Sequence, residues 1–186
     1  MERTASLRAG DHESETFSIH SGTPQGSPLS PILSALFTSP LLEKAKEWKF
    51  CDLTLYVDDG TIYATLAMVE GAVHRAREGL LECIKWLDRN GLAIDPSKTE
   101  LMVFTPDRAS RNLMGSTNVA LQYDSPGLGQ QRLRCQPVIR YLGVYIRHDL
   151  KWMDHVHKME MRARSTIRGI NFLGNSIQGL DFLNWR

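Results

Sequence analysis

Two adjacent aspartates, Asp58 and Asp59, are the residues whose types and position most directly suggest chemistry. They follow an alternating run at residues 53–57 and precede Gly60, a pattern that predicts a β-hairpin with both carboxylates at its tip. Carboxylate oxygens are the hard ligands that Mg²⁺ prefers when it handles phosphates. The pair therefore indicates nucleotide chemistry. Asp58 is expected at the strand end, on the same face as Tyr56, with Asp59 as an auxiliary ligand or an orienter; a solvated hairpin tip is the alternative.

A glycine-rich segment lies upstream, at residues 21–31. Its small residues let the backbone approach a nucleotide closely, and the Gln25 amide can hydrogen-bond a base or sugar edge. The same segment also predicts an ordinary turn into a helix, with Ser27 as N-cap and Pro28 in the first helical turn. Residue types alone leave both interpretations open.

The apolar pattern predicts the elements that must position these residues. Steps of three and four between apolar residues predict amphipathic helices at 69–90, where Gly91 ends the helix, and from Trp152 onward. The first fifteen residues are polar and predict a disordered or frayed tail. The other predicted elements are a strand at 17–19, a helix at 28–37 interrupted by Pro40, a helical piece at 41–48, a hairpin at 52–57 and 61–65, strands at 100–104 and 140–146, and a turn-rich loop at 124–131. Together they predict an α+β fold, an antiparallel sheet covered by helices on one face.

Composition limits the class of protein. A chain of 186 residues that is 42% hydrophobic can bury one core, which favours one domain. It has neither an apolar run of about 20 residues nor a signal peptide, so we expect an intracellular protein without a membrane span, in the nucleus or the cytoplasm. Three distant cysteines suit a reducing interior better than disulfides or zinc, and the six histidines do not cluster.

The net charge of +1 conceals an asymmetry along the chain. Residues 1–131 carry 12 Lys/Arg against 17 Asp/Glu, whereas residues 132–186 carry 10 against 4. A basic C-terminal segment can follow a phosphate backbone, although a solvated helix face explains the charge equally well. The candidate nucleic-acid contacts on the second long helix are Lys158, Arg162, Arg164 and Arg168.

Four motifs follow one another in the order found in a known family of proteins. Residues 22–31, 56–59, 91–100 and 141–143 resemble motifs B, C, D and E of a reverse transcriptase (RNA-directed DNA polymerase) of the non-LTR, LINE-like retrotransposon type. The resemblance implies a partial polymerase palm at residues 16–147 and the start of a thumb-like helical region at 148–186. It also implies an RNA template, a DNA primer and deoxynucleoside triphosphates as partners, with Mg²⁺ (or Mn²⁺) as the cofactor.

The resemblance further implies a role for each motif. Asp58 and Asp59 hold the metal, and Lys98 protonates the pyrophosphate leaving group or contacts phosphate, although a solvated lysine is equally compatible with its position. The residues assigned to template and nucleotide binding are Gly22, Pro24, Gln25, Gly26 and Tyr56. The residues assigned to primer binding are Tyr141, Leu142 and Gly143, which alone would predict a core strand.

One catalytic block of the family has no counterpart. Motif A is a strand bearing Phe-x-x-Asp, whose carboxylate completes the two-metal site, and the fingers lie further upstream. Asp11 is the sole aspartate before Gly22 and lies in a stretch without apolar alternation. We therefore expect a truncated fragment that is inactive alone, with another polypeptide supplying the missing strand as a candidate partner. The alternatives are a non-catalytic nucleic-acid-binding remnant and a non-functional relic.

Overall fold

The computed structural model describes residues 3–19, 22–23, 26–105 and 120–174, without the side chains of 171–174. The chain divides into two compact units, Met1–Tyr63 and Ala64–Arg186. This division differs from the predicted palm and thumb, whose boundary at residue 147 stays a prediction.

The N-terminal segment of the first unit is folded into paired strands. β1 (Arg3–Ala5) pairs with β4 (Phe17–Ile19), and β2 (Arg8–Ala9) pairs with β3 (His12–Glu13), both antiparallel. Two hydrogen bonds between Leu7 and Ser14, both 2.8 Å, lie between these ladders. The expectation of a disordered tail over residues 1–15 is corrected for residues 3–13. Apolar periodicity could not reveal these strands because nearly all their residues are exposed.

Helix α1 (Ser30–Ala45) continues through Pro40, where the sequence predicted an interruption. Pro40 has no N–H to donate to the carbonyl of Leu36, and the Ser39 hydroxyl donates to that carbonyl at 2.9 Å instead. The predicted start is also corrected, because Leu29 occupies the N-cap position. Ser27 still contributes, since its hydroxyl accepts a hydrogen bond from the Leu29 N–H at 3.3 Å.

The predicted acidic hairpin is present with different bounds. β5 (Asp52–Tyr56) pairs antiparallel with β6 (Asp59–Tyr63), and α1 packs against β5. Leu53 and Leu55 are half-buried and alternate with exposed neighbours, as predicted. Leu55 lies opposite Gly60, where a Cβ atom would be 3.2 Å from Leu55 Cδ2. Gly60 therefore permits the close approach of the two strands.

The second unit begins with α2 (Val69–Arg89), which packs against a strand of the following hairpin. Leu80, Cys83 and Ile84 are buried on one side of α2, which confirms the predicted amphipathic helix. Gly91 has a φ of 72° just after the helix, and the Leu92 N–H donates to the Leu87 carbonyl at 2.9 Å. This is the Schellman ending that a glycine at this position favours.

That following hairpin consists of β7 (Ala120–Ser125) and β8 (Gly129–Arg134). Its buried side chains are Leu121, Tyr123, Ser125 and Leu133. The predicted loop at residues 124–131 is therefore wrong. The prediction failed because β8 is a polar strand in which Leu133 alone is buried.

The last predicted strands also differ from the structure. The strand expected at 100–104 is reduced to one parallel bridge between Leu101 and Cys135. The strand expected at 140–146 is a hairpin of β9 (Val138–Tyr141) and β10 (Val144–Arg147). Helix α3 (Met153–Gly174) then packs against β10, close to its predicted start.

The strands of the described segments form five two-stranded antiparallel sheets rather than one continuous sheet. Together with three helices they confirm the α+β class. The three cysteines are free. Among the helices that the structure describes, none is long and apolar enough to cross a membrane.

Candidate functional site

The acidic pair lies at a two-residue β-turn, so the prediction that Asp58 ends a strand is corrected. Tyr56 pairs with Asp59, while Val57 and Asp58 connect the strands. The φ of Val57 is 59°, and Asp58 has no positive φ. This is the pattern of a type II′ turn, which glycine normally begins. A β-branched residue in this conformation is uncommon and strained.

The register places Asp59, rather than Asp58, on the face of Tyr56. Directly opposite residues of an antiparallel ladder share a face, which here also carries Thr54 and Thr61. Asp58 projects from the second turn position. Both carboxylates are exposed, and neither forms a hydrogen bond or an ion pair with another described residue. They are accessible to a ligand from solvent.

One hydrogen bond joins the acidic turn to α1. The Ser34 hydroxyl donates to the carbonyl of Val57 at 3.3 Å. This bond brings the helix that follows the glycine-rich segment to the strained residue of the turn. Sequence reasoning did not single out Ser34; the available signal was a polar residue between Leu33 and Ala35 on an otherwise apolar stretch.

The oxygen ligands at the turn are of the type that magnesium prefers, but they are too few to hold two ions. Asp58 and Asp59 offer the oxygen atoms that Mg²⁺ or Mn²⁺ favours. Over residues 3–19, 22–23, 26–105 and 120–174, no group of three or more His, Cys, Asp or Glu side chains could hold a metal. Two carboxylates alone would leave most positions around a Mg²⁺ ion to water. The third carboxylate that a two-metal site requires is not brought to this turn by the described residues.

The glycine-rich segment has an open backbone at both described glycines. Gly22 and Gly26 have φ values of 83° and 84°, and a Cβ at either would meet nothing within 4 Å. The guanidinium of Arg3 donates to the Gly22 carbonyl at 2.6 Å, which joins β1 to this segment. Pro24 and Gln25 lie outside the described residues, and their assigned role stays a prediction.

Lys98 lies in a tight turn of the second unit, and its side chain is 84% exposed. Its ammonium nitrogen is 3.6 Å from Asp95 Oδ2. The backbone N–H and hydroxyl of Ser97 donate to Asp95 Oδ1 at 2.9 and 2.6 Å. These hydrogen bonds, more than the charge of Lys98, hold the pKa of Asp95 below its ordinary value. The cation is thus kept beside a carboxylate that stays ionised.

The three residues assigned to primer binding lie at the β9–β10 turn. Leu142 and Gly143 both have positive φ, 46° and 88°, which is the pattern of a type I′ turn. Leu142 is 45% exposed. Tyr141 pairs with Val144 across the hairpin. The assigned contact with a primer stays a prediction.

The four cations assigned to nucleic-acid binding on α3 have different surroundings. Lys158 Nζ and Arg162 Cζ lie 5.8 and 5.9 Å from the centre of the Tyr145 ring, within cation–π range. Arg164 is bound to Glu160 at 2.8 Å, so its charge is largely neutralised. Arg168 is exposed.

Sequence reasoning missed two residues that join α3 to the β9–β10 hairpin. The Tyr145 N–H donates to Nδ1 of His155 at 3.3 Å, and the two rings lie 6.4 Å apart. Tyr145 was predicted only as part of a strand. The spacing of His155, Lys158 and Arg162, which follows a single helix face, was the available signal.

The structure thus defines an α+β protein in which two exposed carboxylates lie at a turn that one hydrogen bond joins to α1, the helix after the glycine-rich segment. The family model described as "Reverse transcriptase (RNA-dependent DNA polymerase)" matches residues 3–146. The chain belongs to the reverse transcriptase family, whose members use a nucleic-acid template and nucleotide substrates. No curated protein and no solved structure matches the chain.

Proposed function

We propose that the chain is a fragment of a non-LTR, LINE-like retrotransposon reverse transcriptase, comprising the motif B–E palm and the start of the thumb. We further propose that the chain alone does not catalyse RNA-directed DNA synthesis. The observation that carries this proposal is the acidic turn, which presents two carboxylates from a single hairpin.

The proposed function gives each assigned residue a separate task. Asp58 and Asp59 would hold Mg²⁺, and the ion would supply positive charge against the transferring phosphoryl group. Gly22 and Gly26 leave room for the nucleotide and the template, because their positive-φ backbone carries no side chain. Lys98 offers a positive charge to the pyrophosphate leaving group.

The proposed lack of activity follows from the geometry of phosphoryl transfer. In-line displacement between two metals needs ions about 4 Å apart, held by carboxylates that converge from more than one element. Asp58 and Asp59 belong to one turn and one strand start. Metal ions and substrate positioning supply most of the catalysis in such reactions. Carboxylates from a single hairpin are therefore not expected to support turnover.

Primer extension tests this proposal. The purified chain is incubated with an RNA template, a labelled DNA primer and all four deoxynucleotides, in Mg²⁺ and separately in Mn²⁺. We expect no extension in either metal. Extension by the wild-type chain that disappears in Asp58→Ala would overturn the proposed inactivity, and extension that persists in Asp58→Ala would indicate a contaminating polymerase.

A second candidate function is nucleic-acid binding without chemistry. The observation that favours it is the basic face of α3, where Lys158, Arg162 and Arg168 form no ion pair with a described acidic residue. Salt-sensitive binding of a primer–template, without turnover, is the expected result. Binding that is absent at low salt would remove this candidate.

The partner proposed for the chain is a polypeptide that carries the motif A strand. Leu29, Ile32, Leu33 and Leu36 support it, because they follow one side of α1 and are between 48% and 66% exposed. Addition of a polypeptide bearing the motif A strand should restore Mg²⁺-dependent extension. A complex that forms and stays inactive would contradict this part of the proposal.

A further inference from the structure

Some basic residues of segment 132–186 form ion pairs with acidic side chains, and others do not. The three acidic residues of this segment in the described range, Asp149, Asp154 and Glu160, are each within 4 Å of a cation. The cations they neutralise are Arg147, Lys151 and Arg164. The positive excess of the segment therefore lies on other residues.

Two of those residues are neighbours on one strand. Arg132 and Arg134 of β8 are exposed, and neither forms an ion pair or a hydrogen bond with another described residue. Residues two apart on a strand project from the same face, with their Cα atoms about 6.6 Å apart. Both guanidinium groups therefore extend from one side of the β7–β8 hairpin.

The cross-strand neighbours of this pair are uncharged. Arg132 lies opposite Gln122, and Arg134 lies opposite Ala120. The one acidic residue on the same face of the hairpin is Asp124, which pairs with Gln130 near the turn. The positive charge is thus concentrated at the end of the hairpin away from the turn, beside two amide side chains.

The opposite face of the hairpin fixes which residues point outward. Leu121, Tyr123 and Leu133 are at most 9% exposed. A register shift of one residue would expose these side chains and bury the arginines, so it is strongly disfavoured. The guanidinium of Arg77 on α2 also donates to the Gln122 carbonyl at 2.7 Å, which holds β7 in place. The backbone below the arginines is therefore already ordered.

We infer that this exposed hairpin face, formed by Arg132 and Arg134 with Gln122 and Gln130, binds the sugar–phosphate backbone of a nucleic acid. Guanidinium groups bind phosphate oxygens in a bidentate geometry, and amides donate to phosphate or sugar oxygens. Asp124 repels phosphate and limits the contact to the end of the hairpin away from the turn. The choice of nucleic acid as the polyanion rests on the proposed function. The arrangement of charges on the hairpin is observed independently of that proposal.

Fluorescence anisotropy of a labelled RNA–DNA primer–template tests the inference. The variant R132Q/R134Q should bind about tenfold more weakly, and the slope of log K against log salt should fall by roughly 2, because two phosphate contacts are lost. The matched control is K85Q/R89Q on α2, which removes the same formal charge from another surface and should bind as the wild type does. R132K/R134K should keep the salt slope and lose part of the affinity.

The outcomes separate this inference from the proposed function. If R132Q/R134Q keeps the wild-type affinity and slope, the hairpin face is not a contact, and binding through α3 is unaffected by that result. An equal loss in K85Q/R89Q would attribute the effect to net charge and overturn the inference. Displacement by polyglutamate as effective as displacement by nucleic acid would overturn the assignment of the partner. A wild-type chain that does not bind would overturn this inference and the second candidate function, whereas the proposed lack of activity is tested separately by primer extension. Circular dichroism and the melting temperature of R132Q/R134Q verify that the hairpin is folded.

Discussion

Two regions of the molecule differ in the contacts that support their functional groups. One is the acidic turn, and the other is the basic surface formed by Tyr145 of β10 with Lys158 and Arg162 of α3. At the turn, a five-residue ladder and one bond from Ser34 fix the backbone, while Asp58 and Asp59 have no described partner. On the basic surface, Tyr145 holds Lys158 and Arg162 by its ring and His155 by its N–H. In the proposed function, turnover would depend on a third ligand from another element, whereas the cations already have their supporting contacts. We therefore expect nucleic-acid binding to persist where catalysis does not.

The largest expected effect is the loss of stability on replacing Tyr145, the side chain at the centre of the basic surface. Tyr145→Ala removes a half-buried ring and two cation–π contacts, and it should destabilise the second unit by about 2 kcal/mol. Tyr145→Phe keeps the ring and should cost about 0.5 kcal/mol or less. Urea unfolding followed by circular dichroism measures both. Equal destabilisation by the two variants would mean that the ring does not hold the cations.

Substitutions in the basic surface and in the acidic turn should differ in their effect on primer–template binding. The variant K158Q/R162Q should bind a primer–template about tenfold more weakly, which corresponds to about 1.4 kcal/mol. D58N/D59N removes negative charge and should bind at least as tightly as the wild type. Anisotropy titrations at one fixed salt concentration measure both. Weaker binding in D58N/D59N would contradict the separation of the two regions.

A smaller effect is expected at the strained position of the acidic turn. Val57→Gly relieves the positive φ, whereas Val57→Ala keeps it and loses the same apolar contacts. The glycine variant should be more stable than the alanine variant by about 1 kcal/mol, the usual difference at such positions. Thermal unfolding monitored by circular dichroism compares the pair. A more stable alanine variant would contradict the turn geometry at Val57.

The smallest predicted effect is the pH dependence of the Lys98 turn. The hydrogen bonds from Ser97 lower the pKa of Asp95, so the folded state favours the ionised carboxylate. Their stabilising contribution should be complete above the unfolded pKa of about 4 and be lost as the pH falls through the lower, folded value. The stability difference between the wild type and Ser97→Ala should therefore shrink below about pH 4. A difference that grows in acid would contradict the assignment.

The sequence predicted elements with strong apolar periodicity and missed those held by polar groups. The register of α2 was readable because Leu80 and Ile84 lie one turn apart on its buried side. β8 was not readable, because its alternation consists of exposed glutamine and arginine. The first strand of the acidic hairpin was predicted one residue too long and the second two residues too late, since no rule of composition expects Val57 to adopt a positive φ. The contact from Ser34 depends on tertiary structure and could not be predicted.

The most direct test of the central claim is the number of manganese ions that the chain holds. In the proposed function the acidic turn supplies one half of a two-metal site, so an electron paramagnetic resonance titration should find at most one weakly bound Mn²⁺ per chain, absent in D58N/D59N. Two bound ions per chain with the spin coupling of a pair about 4 Å apart would contradict the account, because the chain would then complete the site itself.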